Sequence, residues 1–211
     1  MPDAAPRTFE VRHLQLARAL FAAIAAVMIT FSGDHSAAVG VSVFSGFAVA
    51  TALGFFLAVW LVFPAGERWP SVVLGLLTLV AGIVGSFPGL RTTAAFFVLV
   101  AVWALVAGAA ELIIGLVGRR RGWAISRESV FVGILTVVLG VALLVIDPDY
   151  RLEYYIEQAK RSFTLTGITI GVGVFGAYAA IVAVYLGIAA FSPRPEPAVT
   201  ADRADNPGGH A

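Results

Sequence analysis

A single carboxylate, Glu111, interrupts the apolar run of ALVAGAAELIIGLVGRRRG (residues 104 to 122), which closes on Arg119, Arg120 and Arg121. An ionised group inside a membrane is costly unless it is paired or hydrogen-bonded, so such residues are functional candidates by default. At roughly 100° per residue, Ala101, Ala104, Gly108 and Gly115 fall within about 60° of the glutamate's direction. Glu111 therefore shares a stripe of small residues, which lets helix backbones meet closely, and it points into a bundle. With the helix ending near residue 117, the carboxylate lies roughly 9 Å from the interface at 1.5 Å per residue. It is within reach of Arg119 or another arginine, or of a threonine on a neighbouring helix. Two roles stay open for it, one in packing and hydrogen bonding, the other in a proton or solute path.

Other reactive groups gather less well. Asp147 with Asp149 and Glu153 with Glu157 are paired carboxylates, but they fall in a charged connection where solvation explains them. His13, His35 and His210 lie outside the apolar runs and have no metal-ligand spacing, and the chain has no cysteine. A nucleophilic serine or threonine would need a base in reach, and no histidine falls in a span. GVGVFG at 171 to 176, with Glu196 about 20 residues further on, fits the dinucleotide fingerprint in letters only. That motif needs a strand before it and a helix opening at its glycines, whereas these glycines sit within a long apolar run. No cofactor, metal site or catalytic residue follows, and the expectation is a protein that is not an enzyme.

The elements that position Glu111 are set by hydropathy. Of 211 residues, 59% are hydrophobic and 13% charged, about half the charged share of a soluble domain, and the mean hydropathy is +0.91. Six helices are expected, at 14–32, 37–63, 70–87, 92–117, 129–146 and 164–191, forming one all-α polytopic membrane domain over 14–191. Residues 1–13 form a segment before it. The tail 192–211, rich in Pro, Ala, Asp and Gly, is expected to be disordered. Short and long helices alternate, which suggests three hairpins.

GLLTLVAG (75–82) and GILTVVLG (133–140) share the pattern G-x-L-T-x-V-x-G about 58 residues apart, followed by Pro88 and Pro148. Gly75, Thr78 and Gly82, Gly133, Thr136 and Gly140, and Ala19, Ala22 and Ala26 each occupy one helical face suited to close packing. Gly108 and Gly115 do the same beside Glu111, as do Gly167 and Gly171 in the last helix. Between 148 and 163, Leu152, Tyr155, Ile156, Ala159 and Phe163 recur at helical spacing. They predict an amphipathic surface segment with Tyr150, Tyr154 and Tyr155 near headgroups, or else an extension of the sixth helix.

Positive charge orients the domain. With a cytoplasmic N-terminus, Arg7, Arg12, Arg18, Arg68, Arg119, Arg120, Arg121, Arg127, Arg194 and Arg203 fall inside, against Arg91, Arg151, Lys160 and Arg161 outside. Both termini are then cytoplasmic, and three of the four tryptophans mark that interface. The rival reading, a cleaved signal peptide over 1–36, would discard the alanine face that completes the first hairpin. A net charge of +1 gives no basis for nucleic-acid binding. The expected partners are the lipid bilayer and further copies of the chain in a homo-oligomer.

The run WPSVVLGLLTLVAGIVGSFPG, then VWALVAGAAELIIGL with a basic segment, then VGILTVVLGVALLVIDP resembles the HdeD-like acid-resistance membrane proteins, a bacterial family of two-helix repeats. The likeness covers about 80 residues from Trp69 to Pro148. It implies a six-helix protein of the bacterial inner membrane, linked to acid or envelope stress, and it supplies no catalytic residue or ligand. Glu111 falls on the family's acidic position after W-A-L-x-x-G. The first hairpin, with SGDHSAAVGVSVFSG, lacks the family's Pro-Gly turn, and the charged connection after Pro148 is longer than the family's.

Overall fold

A computed structural model describes residues 9–123, 126–158 and 160–192. The tail and the first eight residues, including Arg7, Arg194, Glu196, Arg203 and His210, lie outside the described residues. Among the described residues six α-helices make up the bundle: α1 (Val11–Thr30), α2 (Ala37–Leu61), α3 (Trp69–Gly85), α4 (Thr93–Arg121), α5 (Ser126–Val145) and α6 (Gly167–Phe191). Five are long and apolar enough to cross a membrane. The exception, α3, has 17 residues, about 26 Å at 1.5 Å per residue, a little short of a hydrocarbon layer of roughly 30 Å.

Local chemistry sets the ends. The hydroxyls of Ser36, Thr92 and Thr166 accept from the backbone N–H of Val39, Ala95 and Thr169, capping α2, α4 and α6. At the start of α1 the N–H of Glu10 donates to Nδ1 of His13, so this histidine belongs to the helix. The three arginines are also helical. They form the last turn of α4, where cations complement the helix dipole, and Gly122 ends the helix at φ 70°. The basic run expected as a loop is thus the end of a helix that continues past residue 117.

Among the described residues, 148–158 and 160–163 form neither an amphipathic helix nor an extension of α6, and Ala159 lies outside the described residues. Strands β1 (Arg151–Ile156) and β2 (Arg161–Thr166) pair antiparallel, with Leu152 opposite Leu165 and Tyr154 opposite Phe163. Leu152, Tyr154 and Ile156 alternate with charged or polar neighbours at period two. Rings at Tyr154 and Phe163 stack across the strands at 6.0 Å. β-Branched and aromatic residues outweighed a helical period assembled from scattered positions. Lys160 turns the hairpin at φ 50°, and the N–H of Gly167 closes its base on the Tyr150 carbonyl at 2.8 Å.

The most extensive helix contacts run α2 with α3, α4 with α5, and α6 with α1, while the neighbours α1 and α2, α3 and α4, and α5 and α6 touch less. Small residues explain these pairs. A Cβ on Gly133 would stand 2.5 Å from the backbone nitrogen of Leu112, on Gly115 2.6 Å from that of Val130, and on Gly108 2.8 Å from that of Val137, so α4 and α5 meet backbone to backbone. Gly140 lies against Leu105, Gly82 against Val49 and Ala48, and Gly75 against Phe56. In α6, Gly171 backs onto Phe97 and Gly176 onto Ile29 of α1. Gly167 lies against the carbonyls of Asp147 and Pro148, at the foot of the hairpin and away from any neighbouring helix. The glycines of GVGVFG are therefore interior positions of a helix.

A polar chamber around a buried ion pair

Glu111 is 6% exposed, and its Oε1 lies 2.8 Å from Nη2 of Arg18, itself 5% exposed. The stripe that predicted its direction, Ala101, Ala104, Gly108 and Gly115, is buried throughout. Because α4 runs to Arg121, the carboxylate sits ten positions (121 − 111) from the helix end, about 15 Å, deeper than a helix ending at 117 implied. Its partner comes from α1, not from the arginine cluster. Arg18, which counted as a topology charge in the sequence, lies inside the bundle on the same α1 face as Ala22 and Ala26. The Phe55 ring lies 4.6 Å from its guanidinium carbon, adding a cation–π contact.

Every helix contributes a polar side chain to this place. Arg18 of α1, Thr51 of α2, Thr78 of α3, Glu111 of α4, Thr136 of α5 and Tyr178 of α6 line one small chamber. The two threonines of the G-x-L-T-x-V-x-G pattern lie at its wall. Thr136 donates to or accepts from the Tyr178 hydroxyl at 2.9 Å and also bonds the Val132 carbonyl at 2.7 Å, so this pair is satisfied. Thr78 accepts from the indole N–H of Trp103 at 3.4 Å, a long contact. Trp103 therefore belongs to the chamber wall and not to an aromatic belt. Between these groups lies about 20 Å³ of space for the centre of a water molecule, room for one water or two.

Hydrogen-bonding capacity is left over here. The Thr51 hydroxyl, 5% exposed, has no hydrogen-bond partner among the described residues, and neither has the amide of Gln15, three residues before Arg18 on α1 and outside the chamber's lining. Oε1 of Glu111 makes a charge contact with Arg18 rather than an aligned hydrogen bond. A guanidinium carries five N–H donors, more than one carboxylate oxygen uses. Buried polar groups in proteins are normally partnered, so an unsatisfied set around an ion pair marks a place where small polar molecules gain by entering.

Toward the β-hairpin the chamber is closed. Phe44, Phe96, Val100, Val172 and Phe175 are fully buried there and form an apolar plug. Edge-to-face contacts join Phe44 to Trp103 at 5.1 Å and to Phe175 at 5.7 Å. Gly40 brings the starts of α2, α4 and α6 together at that end, since a Cβ there would stand 2.6 Å from Val172 and 2.9 Å from Phe96.

No family model, curated protein or solved structure matches the chain. Its functional reading rests on residues and geometry.

Of the residues singled out from the sequence, Glu111, Thr78 and Thr136 meet in the chamber, while Gly75, Gly82, Gly108, Gly115, Gly133 and Gly140 hold the helices that carry them. Of the chamber's other polar residues, Arg18 was read only as a topology charge, and Thr51 and Tyr178 went unnoticed, as did Gln15 one turn before Arg18. For Arg18 and Gln15 a signal existed: positions 15, 18, 22 and 26 share one helical face, so the alanine stripe already contained both polar residues.

Proposed function

We propose that this protein is a non-catalytic integral membrane protein of the bacterial inner membrane, of the HdeD-like kind, contributing to acid or envelope stress resistance with both termini cytoplasmic. The bundle is read as three consecutive hairpins in which each long helix packs on the short helix of the next and α6 returns to α1. The observation that carries the reading is the Arg18–Glu111 pair, which ties the first helix to the fourth beneath an aromatic plug and leaves space for only a water or two. Such a core favours a static element that holds the bundle together over a conduit. A deletion strain tests it: survival at low pH or under envelope stress should fall and return on complementation. Normal survival across several stresses would count against it.

One observation favours a second reading, a small transporter or proton pathway. Six polar side chains, one from each helix, around an intramembrane carboxylate are more than packing requires. That reading needs passage through the plug at the hairpin end, and flux in liposomes compared between the native chain and Glu111→Gln tests it.

A further inference from the structure

Between α3 and α4 runs an apolar groove of about 310 Å³, walled by Leu76, Val80 and Val84 on one side and Leu99, Val102 and Val106 on the other. Leu76, Val80, Val102 and Val106 are at least half exposed, so in a bilayer the groove opens onto the acyl chains. Its inner wall includes Trp103 and Ala107, which also line the chamber around Arg18 and Glu111. The groove and the chamber therefore back onto each other through one indole, whose N–H makes the 3.4 Å bond to Thr78 and whose ring packs edge-on against Phe44, Phe47 and Tyr178.

The chemistry of the two compartments defines what would occupy both. The groove is a furrow between two helices, with the length and apolar lining to take one alkyl tail of medium length. The chamber is neutral overall, one guanidinium against one carboxylate, so a charged head would upset its balance at a cost of several kcal/mol. A wholly apolar head would leave the surplus guanidinium N–H groups and the Thr51 hydroxyl unmet. The head must be small and neutral, and must offer an acceptor to Arg18 and a donor to Glu111. A protonated carboxyl group does both, its C=O accepting from the guanidinium while its O–H donates to the carboxylate.

We propose that the groove and the chamber together form a binding site for an undissociated medium-chain carboxylic acid, its tail between α3 and α4 and its carboxyl group reaching Arg18 and Glu111 past a displaced Trp103. No bond is made or broken and no proton need change hands. Binding exchanges the Trp103–Thr78 contact and part of the indole's edge-on packing against Phe44, Phe47 and Tyr178 for two charge-assisted hydrogen bonds and the burial of the tail in the groove. The neutral acid is also the form that dissolves in a bilayer, so it arrives from the side on which the groove opens. The inference rests on the bundle lying in a membrane and not on the stress reading. Loss of binding would leave a survival phenotype standing, and normal survival would leave binding standing.

The test uses the full chain in nanodiscs with Trp60, Trp69 and Trp123 replaced by phenylalanine, so that Trp103 reports alone. A decanoic acid carrying bromine on its tail is added at about pH 4, where a carboxyl near its ordinary pKa is largely protonated. Quenching of Trp103 should saturate, be reversed by unlabelled decanoic acid, and weaken about tenfold or more when Val80→Phe and Val102→Phe fill the groove from its lipid side. The methyl ester, which has no O–H to donate, should bind at least about tenfold more weakly than the acid. As a second measurement on the native chain, free of the tryptophan changes, the acid should raise the unfolding temperature and the ester should not. Quenching that rises without saturation and ignores the filled groove would overturn the site. Equal binding of acid and ester would overturn the assignment of a carboxylic acid.

Discussion

Breaking the Arg18–Glu111 pair from one side should destabilise the bundle far more than removing it whole. At 2.8 Å and an effective dielectric of about 20, two unit charges attract by about 6 kcal/mol, and much of that is offset by the loss of hydration on burial. Truncating one partner forfeits the attraction while the other charge stays buried, which typically costs about 3–5 kcal/mol. The two single variants should not be equal. An orphaned carboxylate can bind a proton and become neutral, whereas a guanidinium does not lose one. Glu111→Gln, which strands Arg18 among Phe47, Phe55 and Leu74, should therefore cost more than Arg18→Gln. Replacing both charges by methionine, Arg18→Met together with Glu111→Met, should return to within about 1–2 kcal/mol of the native chain. Reversible unfolding in mixed micelles, over the native chain, the single methionine variants and the double variant, measures this, with an expected coupling of about 3 kcal/mol. Two single variants each costing under about 1 kcal/mol, with additive effects, would refute the reasoning.

Other outcomes follow from the same geometry. Gly133→Ala, whose Cβ would stand 2.5 Å from the Leu112 nitrogen, should lower stability by about 1–3 kcal/mol, while Gly46→Ala, with open space around it, should be neutral or slightly stabilising; thermal unfolding of both in one detergent checks the contrast. Tyr178→Phe removes the 2.9 Å bond to Thr136, which keeps its bond to the Val132 carbonyl, so the cost should stay near about 1 kcal/mol in the same assay. Lys160→Gly relieves a left-handed backbone position and should raise stability by up to about 1 kcal/mol if the hairpin melts with the bundle, as hydrogen exchange on β1 and β2 would show.

Much of the bundle was legible because hydropathy and helical period act on many residues at once. The alternation of short and long helices, the inward direction of Glu111 and the close approach at Gly108, Gly133 and Gly140 all rest on repeated spacing. The missing pieces were single residues whose meaning depends on distant neighbours. Arg18 reads as a topology charge until the bundle brings it across to Glu111 of α4, and Thr51 is one threonine in an apolar helix until it is seen lining the same chamber. Which helices pack most tightly was also hidden, because sequence order suggests α1 with α2 while side-chain size favours α2 with α3. The hairpin at 151–166 went astray for a local reason: a helical period and a strand period compete over a short segment, and its β-branched and aromatic residues decide for the strand.

The most direct test of a sealed core is proton and small-solute flux through the purified chain in liposomes, measured beside empty liposomes and the Glu111→Gln variant. With the chamber closed by Phe44, Phe96 and Phe175, flux should equal that of empty liposomes at neutral and acidic pH, with no difference between the native chain and the variant. A flux well above background that disappears in Glu111→Gln would contradict the account and make the ion pair part of a path.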